Sequence, residues 1–245
     1  MELTNRVALI TGGARIGHTT ACALATAGAD LALVYRQSRN AAEATAEQVD
    51  ALGRRALLMQ ADLNDSTQIS SIIPAVEKTF GRLDVLLNMA SLYQKTPLET
   101  LTPDSLETNL SADLKSAWQL SLEAAPLMRK SPGGRIINFT DWLITSGRPR
   151  YKEYLPYYTA KSAVQGFTEG LALELAPDIL VNAIAPGPIL PPPDLSEEDY
   201  QAVVDATPLN KWGGAESIAS TVRFLCENDF ITGECIRVDG GRHLA

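Results

Sequence analysis

Tyr157 and Lys161 stand four residues apart in Tyr157-Tyr158-Thr159-Ala160-Lys161. On a helix that spacing puts both on one face. A phenol with a pKa near ~10 is a poor acid–base group at neutral pH. An ammonium beside it favours the phenolate and makes the pair a candidate proton donor and acceptor. The same pattern also occurs as an ordinary aromatic and lysine on an amphipathic helix, so its weight depends on what accompanies it. Four tyrosines crowd this stretch, Tyr151, Tyr154, Tyr157 and Tyr158, and only Tyr157 has the spacing to Lys161. The others are expected in packing or pocket walls.

Rival chemistries are poorly supplied. His18 and His243 are the only histidines, and Cys22, Cys226 and Cys235 are scattered. No short-spaced His or Cys cluster suggests a metal site. No G-x-S-x-G elbow suggests a serine hydrolase. Scattered cysteines form no disulfide framework and point to a reducing compartment.

A second feature sits near the start. An apolar run ends in Thr11-Gly12-Gly13-Ala14-Arg15-Ile16-Gly17 and a helix-like stretch follows. Glycines let such a turn approach a pyrophosphate, whose charge meets the helix N-terminus. NAD-specific sites usually carry Asp or Glu at the end of the second strand, to hold the ribose hydroxyl. Here that strand ends Tyr35-Arg36-Gln37-Ser38-Arg39, without an acid. Arg36, Ser38 and Arg39, joined by Arg15, suit a 2′-phosphate instead, so NADPH is the expected cofactor. The competing reading is a plain solvated strand end. The net charge of −8, from 29 acidic and 21 basic residues, speaks against nucleic acid. It is a whole-chain sum and is silent about three local arginines.

The elements that must position these groups alternate. Apolar runs at 7–10, 31–35, 56–59, 85–87, 136–139, 179–183 and 235–238 read as buried strands. Helical composition lies between them, as at 40–52. Thr102-Pro103-Asp104 has the form of a helix start, with a hydroxyl cap, a first-turn proline and an acid. That helix is expected to run to about 128. Alternating β and α elements imply a single doubly wound α/β Rossmann-type domain over 1–245, its parallel sheet covered by helices on both faces. A proline tract at 186–193, followed by acidic 194–199, is expected to be irregular, within a substrate loop of about 186–210. No apolar run reaches the ~18–20 residues needed to span a bilayer. No leader-like segment opens the chain, so a cytoplasmic location is expected.

With these residues in place the sequence resembles the short-chain dehydrogenase/reductase family over nearly its whole length. The residues that carry the resemblance are the glycine loop, Asp62-Leu63, Asn88-Met89-Ala90-Ser91, Tyr157 to Lys161, Pro186-Gly187 and Val238-Asp239-Gly240-Gly241. It implies cofactor contacts from Gly12, Arg15, Ile16 and Gly17 in the loop and from Arg36 and Ser38 beyond the second strand. It further implies Asp62 and Leu63 at the adenine, Asn88, Ala90, Thr140, Pro186 and Gly187 along the cofactor, and Ile189 at the nicotinamide amide. Lys161 would also reach the nicotinamide ribose. A homotetramer acting on a small-molecule substrate is implied as well.

Within the family the sequence looks most like the pteridine reductases. Arg15 stands in an A-R-I-G context where many relatives have glycine. Asp141 takes the place usually held by an active-site serine. Tyr93, in Ala90-Ser91-Leu92-Tyr93, aligns with the aromatic residue that stacks on the pterin. A carboxylate at 141 repels an electron-rich oxygen and raises the phenol's pKa, opposing Lys161. It suits a nitrogen heterocycle with N–H donors, or an imine whose nitrogen gains positive charge as hydride arrives. The reading is an NADPH-dependent reductase of a C=N or C=O substrate, best a pterin. Alternatives are reduction of a 3-oxoacyl thioester or small ketone, and a non-catalytic nucleotide sensor.

Three departures from the family pattern leave choices open. The glycine loop is one residue short, which bears on the phosphate contacts. Asp141 lies 16 residues before Tyr157, a longer gap than usual, with the extra residues expected in 147–156. If Asp141 points away, Thr140 or Thr145 supplies the hydroxyl. The relay residue on the long helix is Asn109 or Asp113, with Asp113 favoured as the catalytic member beside Tyr157, Lys161 and Asp141.

Overall fold

Val7–Thr11 (β1) is buried along its whole length, and its side chains serve both faces of a sheet. Val7 and Leu9 enter one core cluster while Ala8 and Ile10 enter the other. A strand buried on both sides reads as a continuous apolar run, which is why it was legible. Asp30–Tyr35 (β2), Ala56–Gln60 (β3), Val85–Asn88 (β4), Gly134–Phe139 (β5), Ile179–Pro186 (β6) and Cys235–Val238 (β7) complete the sheet. The computed structural model describes residues 1–12, 14–131, 133–146 and 151–244. Within them the strands form one seven-stranded parallel sheet in the order β3-β2-β1-β4-β5-β6-β7.

Ile16–Thr26 (α1) and Ala215–Glu227 (α9) pack on one face through Leu24, Ile218 and Val222. Ser66–Phe80 (α3), Ser116–Met128 (α5) and Leu155–Leu175 (α7) cover the other through Ile72, Leu120 and Leu171. The strand order reverses direction between β1 and β4. In such sheets the crevice at the carboxyl ends of the strands, beside that switch point, receives ligands. The glycine loop after β1 and residues 88–93 after β4 meet there.

The long helix begins as expected. Thr102 caps Pro103–Asn109 (α4), its hydroxyl accepting from the Ser105 N–H while the Ser105 hydroxyl accepts from the Thr102 N–H. It does not continue as a uniform α-helix to 128. Leu110–Lys115 widens into a π turn before α5, a distortion that tends to sit at functional sites. Asn109 and Asp113 are both buried at this turn.

The expected loop at 186–210 is corrected at its start and in its interior. Pro186 belongs to β6, where it pairs with Val238. The acidic run starts a helix, Glu197–Asp205 (α8), capped by the Ser196 hydroxyl. Glu197, Glu198 and Asp199 fill its first turn, where carboxylates oppose the positive end of the helix dipole. Gly13 and residues 147–150 of the 147–156 segment lie outside the described residues.

Candidate active site

The turn from β1 into α1 is pressed against the end of β4. Gly12 has φ +77°, and a Cβ there would come within 3.1 Å of the Ala90 backbone. A Cβ on Gly17 would lie 2.6 Å from the Gly12 carbonyl oxygen. Thr11 fixes the approach from below, its hydroxyl oxygen accepting from the N–H groups of Met89 and Ala90 at 3.1 Å each. The two glycines therefore make a cradle that any side chain would fill.

From this cradle a cleft of about 310 Å³ runs across the ends of β2 and β3, lined by Gly12, Arg36, Ser38, Asp62, Leu63 and Ala90 among others. Arg36 has no carboxylate partner among the described residues, and no acid closes β2. Arg39 does not join it: that guanidinium is held by Glu43 at 2.8 Å, one turn along Arg39–Ala51 (α2). Arg15 does not join it either. Its guanidinium donates to the Pro191 carbonyl at 2.6 Å and lines a neighbouring cavity. The group of three arginines expected at a 2′-phosphate is thus reduced to Arg36 with Ser38. The cradle, the open N-terminus of α1 and the cleft that Arg36 lines fit an NAD(P)(H)-type dinucleotide.

The neighbouring cavity, about 660 Å³, shares Gly12, Ala14 and Ser91 with the first. Ile16, Gly17, Thr140, Pro186, Gly187 and Ile189 line it, together with Tyr93, Asp141, Tyr157 and Lys161. Asn88 lines neither cleft. Its amide nitrogen donates to the Asn138 side-chain oxygen at 2.8 Å and to the Ser121 hydroxyl at 3.2 Å, in a polar seam between β4, β5 and the helices. The amide nitrogen joins strands beneath the site, while the Asn88 side-chain oxygen is buried without a hydrogen-bond partner.

The Tyr157 hydroxyl donates to Asp141 Oδ2 at 2.8 Å. Asp141 is fixed because it caps the short helix Trp142–Thr145 (α6), its Oδ1 accepting from the Leu143 N–H at 2.9 Å. The alternative hydroxyls are occupied elsewhere: Thr140 bonds the Ile184 carbonyl and meets Cys235 Sγ, and Thr145 donates to the Trp142 carbonyl. Asp141 therefore holds the serine-like position itself.

Lys161 behaves differently from the expectation that it lowers the phenol's pKa. Its Nζ donates to the Phe139 carbonyl at 2.8 Å and pairs with Asp113 at 3.1 Å, both side chains being buried. Asp113 offsets the ammonium's field. Burial, then the charges of Asp141 and Asp113, push Tyr157 well above the ordinary phenol value. Burial also pushes Asp141 up, against the hydrogen bonds from Leu143 and Tyr157 and the charge of Lys161. The proton stays on the phenol and points at the carboxylate.

Asn109 and Asp113 are not alternatives. The Asn109 amide donates to the Leu92 carbonyl at 2.8 Å and to Asp113 Oδ2 at 3.4 Å, so the pair links residue 92, beside Tyr93, to Lys161. Tyr93 lines the cavity, but part of its ring is already covered. It stacks on Tyr154 at 4.5 Å and meets Tyr157 edge-on at 4.9 Å. Tyr151 is a pocket wall, as expected of the extra tyrosines. Trp142, Trp212 and Arg242 also line the cavity, and none carried a sequence signal: Trp142 follows Asp141 directly, and the other two arrive through turns distant in the chain.

A family model described as enoyl-(acyl carrier protein) reductase matches residues 13–243. A 3-oxoacyl-[acyl-carrier-protein] reductase of Synechocystis sp. is 35% identical over 98% of this chain and 97% of its own. The chain belongs to the short-chain dehydrogenase/reductase family. The FabG 3-oxoacyl-[acyl-carrier-protein] reductase of Staphylococcus aureus is 33% identical over the full length of both chains. Among solved structures, FolM alternative dihydrofolate reductase 1 of Brucella canis, complexed with NADP, superposes with a TM-score of 0.90. It is 32% identical and the match covers 100% of this chain and 97% of that one. Members of the family are oxidoreductases that use NAD(P)H. Among the described residues no His, Cys, Asp and Glu cluster suits a metal, and no helix is long and apolar enough to cross a membrane.

Proposed function

We propose that this protein is an NADPH-dependent reductase acting on the C=N bond of a nitrogen heterocycle of the pterin type. The observation that carries this is the 2.8 Å hydrogen bond from Tyr157 to Asp141 in the wall of a cavity that joins the Arg36 cleft. Bound NADPH supplies a hydride to an electrophilic carbon. The chain's own residues then have three tasks. Asp141 accepts N–H donors of the heterocycle and resists an electron-rich ketone oxygen. Its carboxyl, pushed up by burial, also holds a proton for a ring nitrogen more readily than an exposed aspartate. Tyr157 passes its hydroxyl proton along the same line, and Lys161 fixes the wall through Phe139 and Asp113.

The second reading, reduction of a 3-oxoacyl thioester, is favoured by the names of the relatives, several of which are 3-oxoacyl-[acyl-carrier-protein] reductases. By number they weigh more toward it than toward pterins, for which FolM alternative dihydrofolate reductase 1 is a parallel. A dihydropterin, a cyclic imine, an acetoacetyl thioester and acetoin, each with NADPH and NADH, separate the two. Asp141→Ser is expected to cost pterin reduction and spare or raise carbonyl reduction. If it abolishes carbonyl reduction while sparing the pterin, the assignment of Asp141 is wrong. We further infer a homotetramer, to be checked by light scattering.

A further inference from the structure

Most arginines of this acidic chain are paired with carboxylates. Arg6 and Arg82 share Asp84, Arg54 and Arg55 share Asp30, and Arg135 meets Asp229. Arg15 and Arg242 have no carboxylate partner among the described residues, and both line the cavity that holds Tyr157 and Asp141. Arg15 is exposed and Arg242 half-buried, whereas Tyr157 and Lys161 are buried. The guanidiniums therefore lie toward the mouth and the reacting groups toward the floor.

Arg242 is held there by the fold. Gly240 and Gly241, at φ +63° and +83°, turn the chain back after β7. Buried Asp239 then locks the turn by accepting from the N–H groups of Gly241 and His243 and pairing with the His243 ring at 2.7 Å. With His243 taking the carboxylate, Arg242 is free of it and lies over the Trp142 ring, 5.8 Å from its centroid. Trp142 directly follows Asp141, so this guanidinium stands beside the dyad's own wall. Across the cavity Arg15 spends one donor on the Pro191 carbonyl. A planar fork held over an aromatic ring and lacking a carboxylate is suited to a carboxylate or phosphate brought by a ligand.

We propose that the substrate carries an anionic group, a carboxylate or a phosphate, remote from the reduced bond, and that Arg242, assisted by Arg15, binds it. This deepens the reductase reading and rests on it for the reduced bond, but the charge preference can be measured without turnover. The test compares matched pairs on the NADP⁺-loaded protein: 6-carboxypterin against 6-methylpterin, and acetoacetyl-phosphopantetheine against acetoacetyl-pantetheine. The first pair probes a carboxylate and the second a phosphate. Binding is followed by tryptophan fluorescence, and KM is followed by NADPH oxidation with a reducible member of each pair.

The anionic member of at least one pair is expected to bind about tenfold tighter or more, the scale of a charged hydrogen bond. Arg242→Gln should collapse that ratio toward one, and Arg242→Lys should retain part of it. Equal affinities in the wild type, or a ratio untouched by Arg242→Gln, would overturn the proposal. Absence of turnover with every compound, alongside a charge preference lost in Arg242→Gln, would instead overturn the reductase reading and leave the anion site standing.

Discussion

Replacing Asp113 by asparagine isolates the electrostatics of the site. The native ion pair is fully enclosed, with Lys161 Nζ 3.1 Å from Asp113. Removing one member of a buried pair typically costs ~3–5 kcal/mol, because the other is left uncompensated. Here Asp141 still faces Lys161 and the replacement amide fills the same space, so about 2 kcal/mol is expected. For a chain of this size that is a fall in Tm of roughly 4–8 °C. The informative readout is the pH profile. In the native site Asp113 cancels the ammonium and itself helps to hold Tyr157 above its ordinary value. Asp113→Asn removes that negative charge and exposes the phenol to Lys161, so the Tyr157 pKa falls. A neighbouring charge moves a pKa by about 1–3 units, and the basic limb of kcat against pH should move acidwards by at least ~1 unit. A profile that stays in place while Tm falls would show Asp113 to be structural only, and the account of Lys161 would be wrong.

Other outcomes follow from the same geometry. If NADPH is bound as proposed, Arg36→Asp should weaken it by about tenfold or more and narrow or reverse any preference over NADH in cofactor titrations, since Arg36 is the one guanidinium of the three left free at that cleft. Gly12→Ala should cost ~1–3 kcal/mol by thermal melting and abolish detectable dinucleotide binding, because φ +77° and a 3.1 Å approach to Ala90 leave no room for a methyl. Asp141→Asn should raise stability at neutral pH and not in acid. The folded-state pKa of Asp141 lies above its unfolded value, so its contribution is fully present below the unfolded pKa and is lost as pH rises through the folded one. A Tm difference between variant and wild type that grows from acid to neutral pH is the sign to look for, and a difference that shrinks would contradict it.

The centre of the sheet was readable because its inner strands are buried on both faces, so that runs such as Val7 to Ile10 carry no polar interruption, whereas the edge strands β3 and β7 are only half-buried. The α4 start was readable because a capping box is a local device, complete within Thr102 to Ser105. Long-range choices were not. Whether Arg15 and Arg39 turned to the 2′-phosphate depended on competitors, the Pro191 carbonyl and Glu43, that spacing along the chain does not rank. Spacing likewise does not show that the Asn88 amide nitrogen is taken by Asn138, fifty residues away. The acidic run at 194–199 follows a proline tract that cannot be regular, and only the Ser196 cap shows that a helix begins at Glu197.

The harder case is Tyr157 with Lys161, where spacing brings the two residues to one cavity wall but misjudges their electrostatics. Two residues four apart on a helix suggest a phenol activated by an ammonium. That inference assumes the ammonium's field reaches the phenol undiminished. In this chain Asp113 and Asp141 bracket Lys161, one on the π turn and one at the end of β5, so two carboxylates face one cation in a buried volume. The cluster as charged carries an excess negative charge, which an interior disfavours. It is relieved most readily by keeping a proton on Tyr157 and by raising the pKa of Asp141. Such a site enters its reaction as an acid. In the proposed reaction that is the protonation state ready for reduction, in which a proton is delivered, whereas oxidation requires the phenol first to give its proton up. Comparing forward and reverse rates of wild type and Asp113→Asn across pH tests this directly: the variant should gain relative activity in the oxidative direction. If both directions respond alike, the excess charge has no part in setting the relative turnover of the two directions.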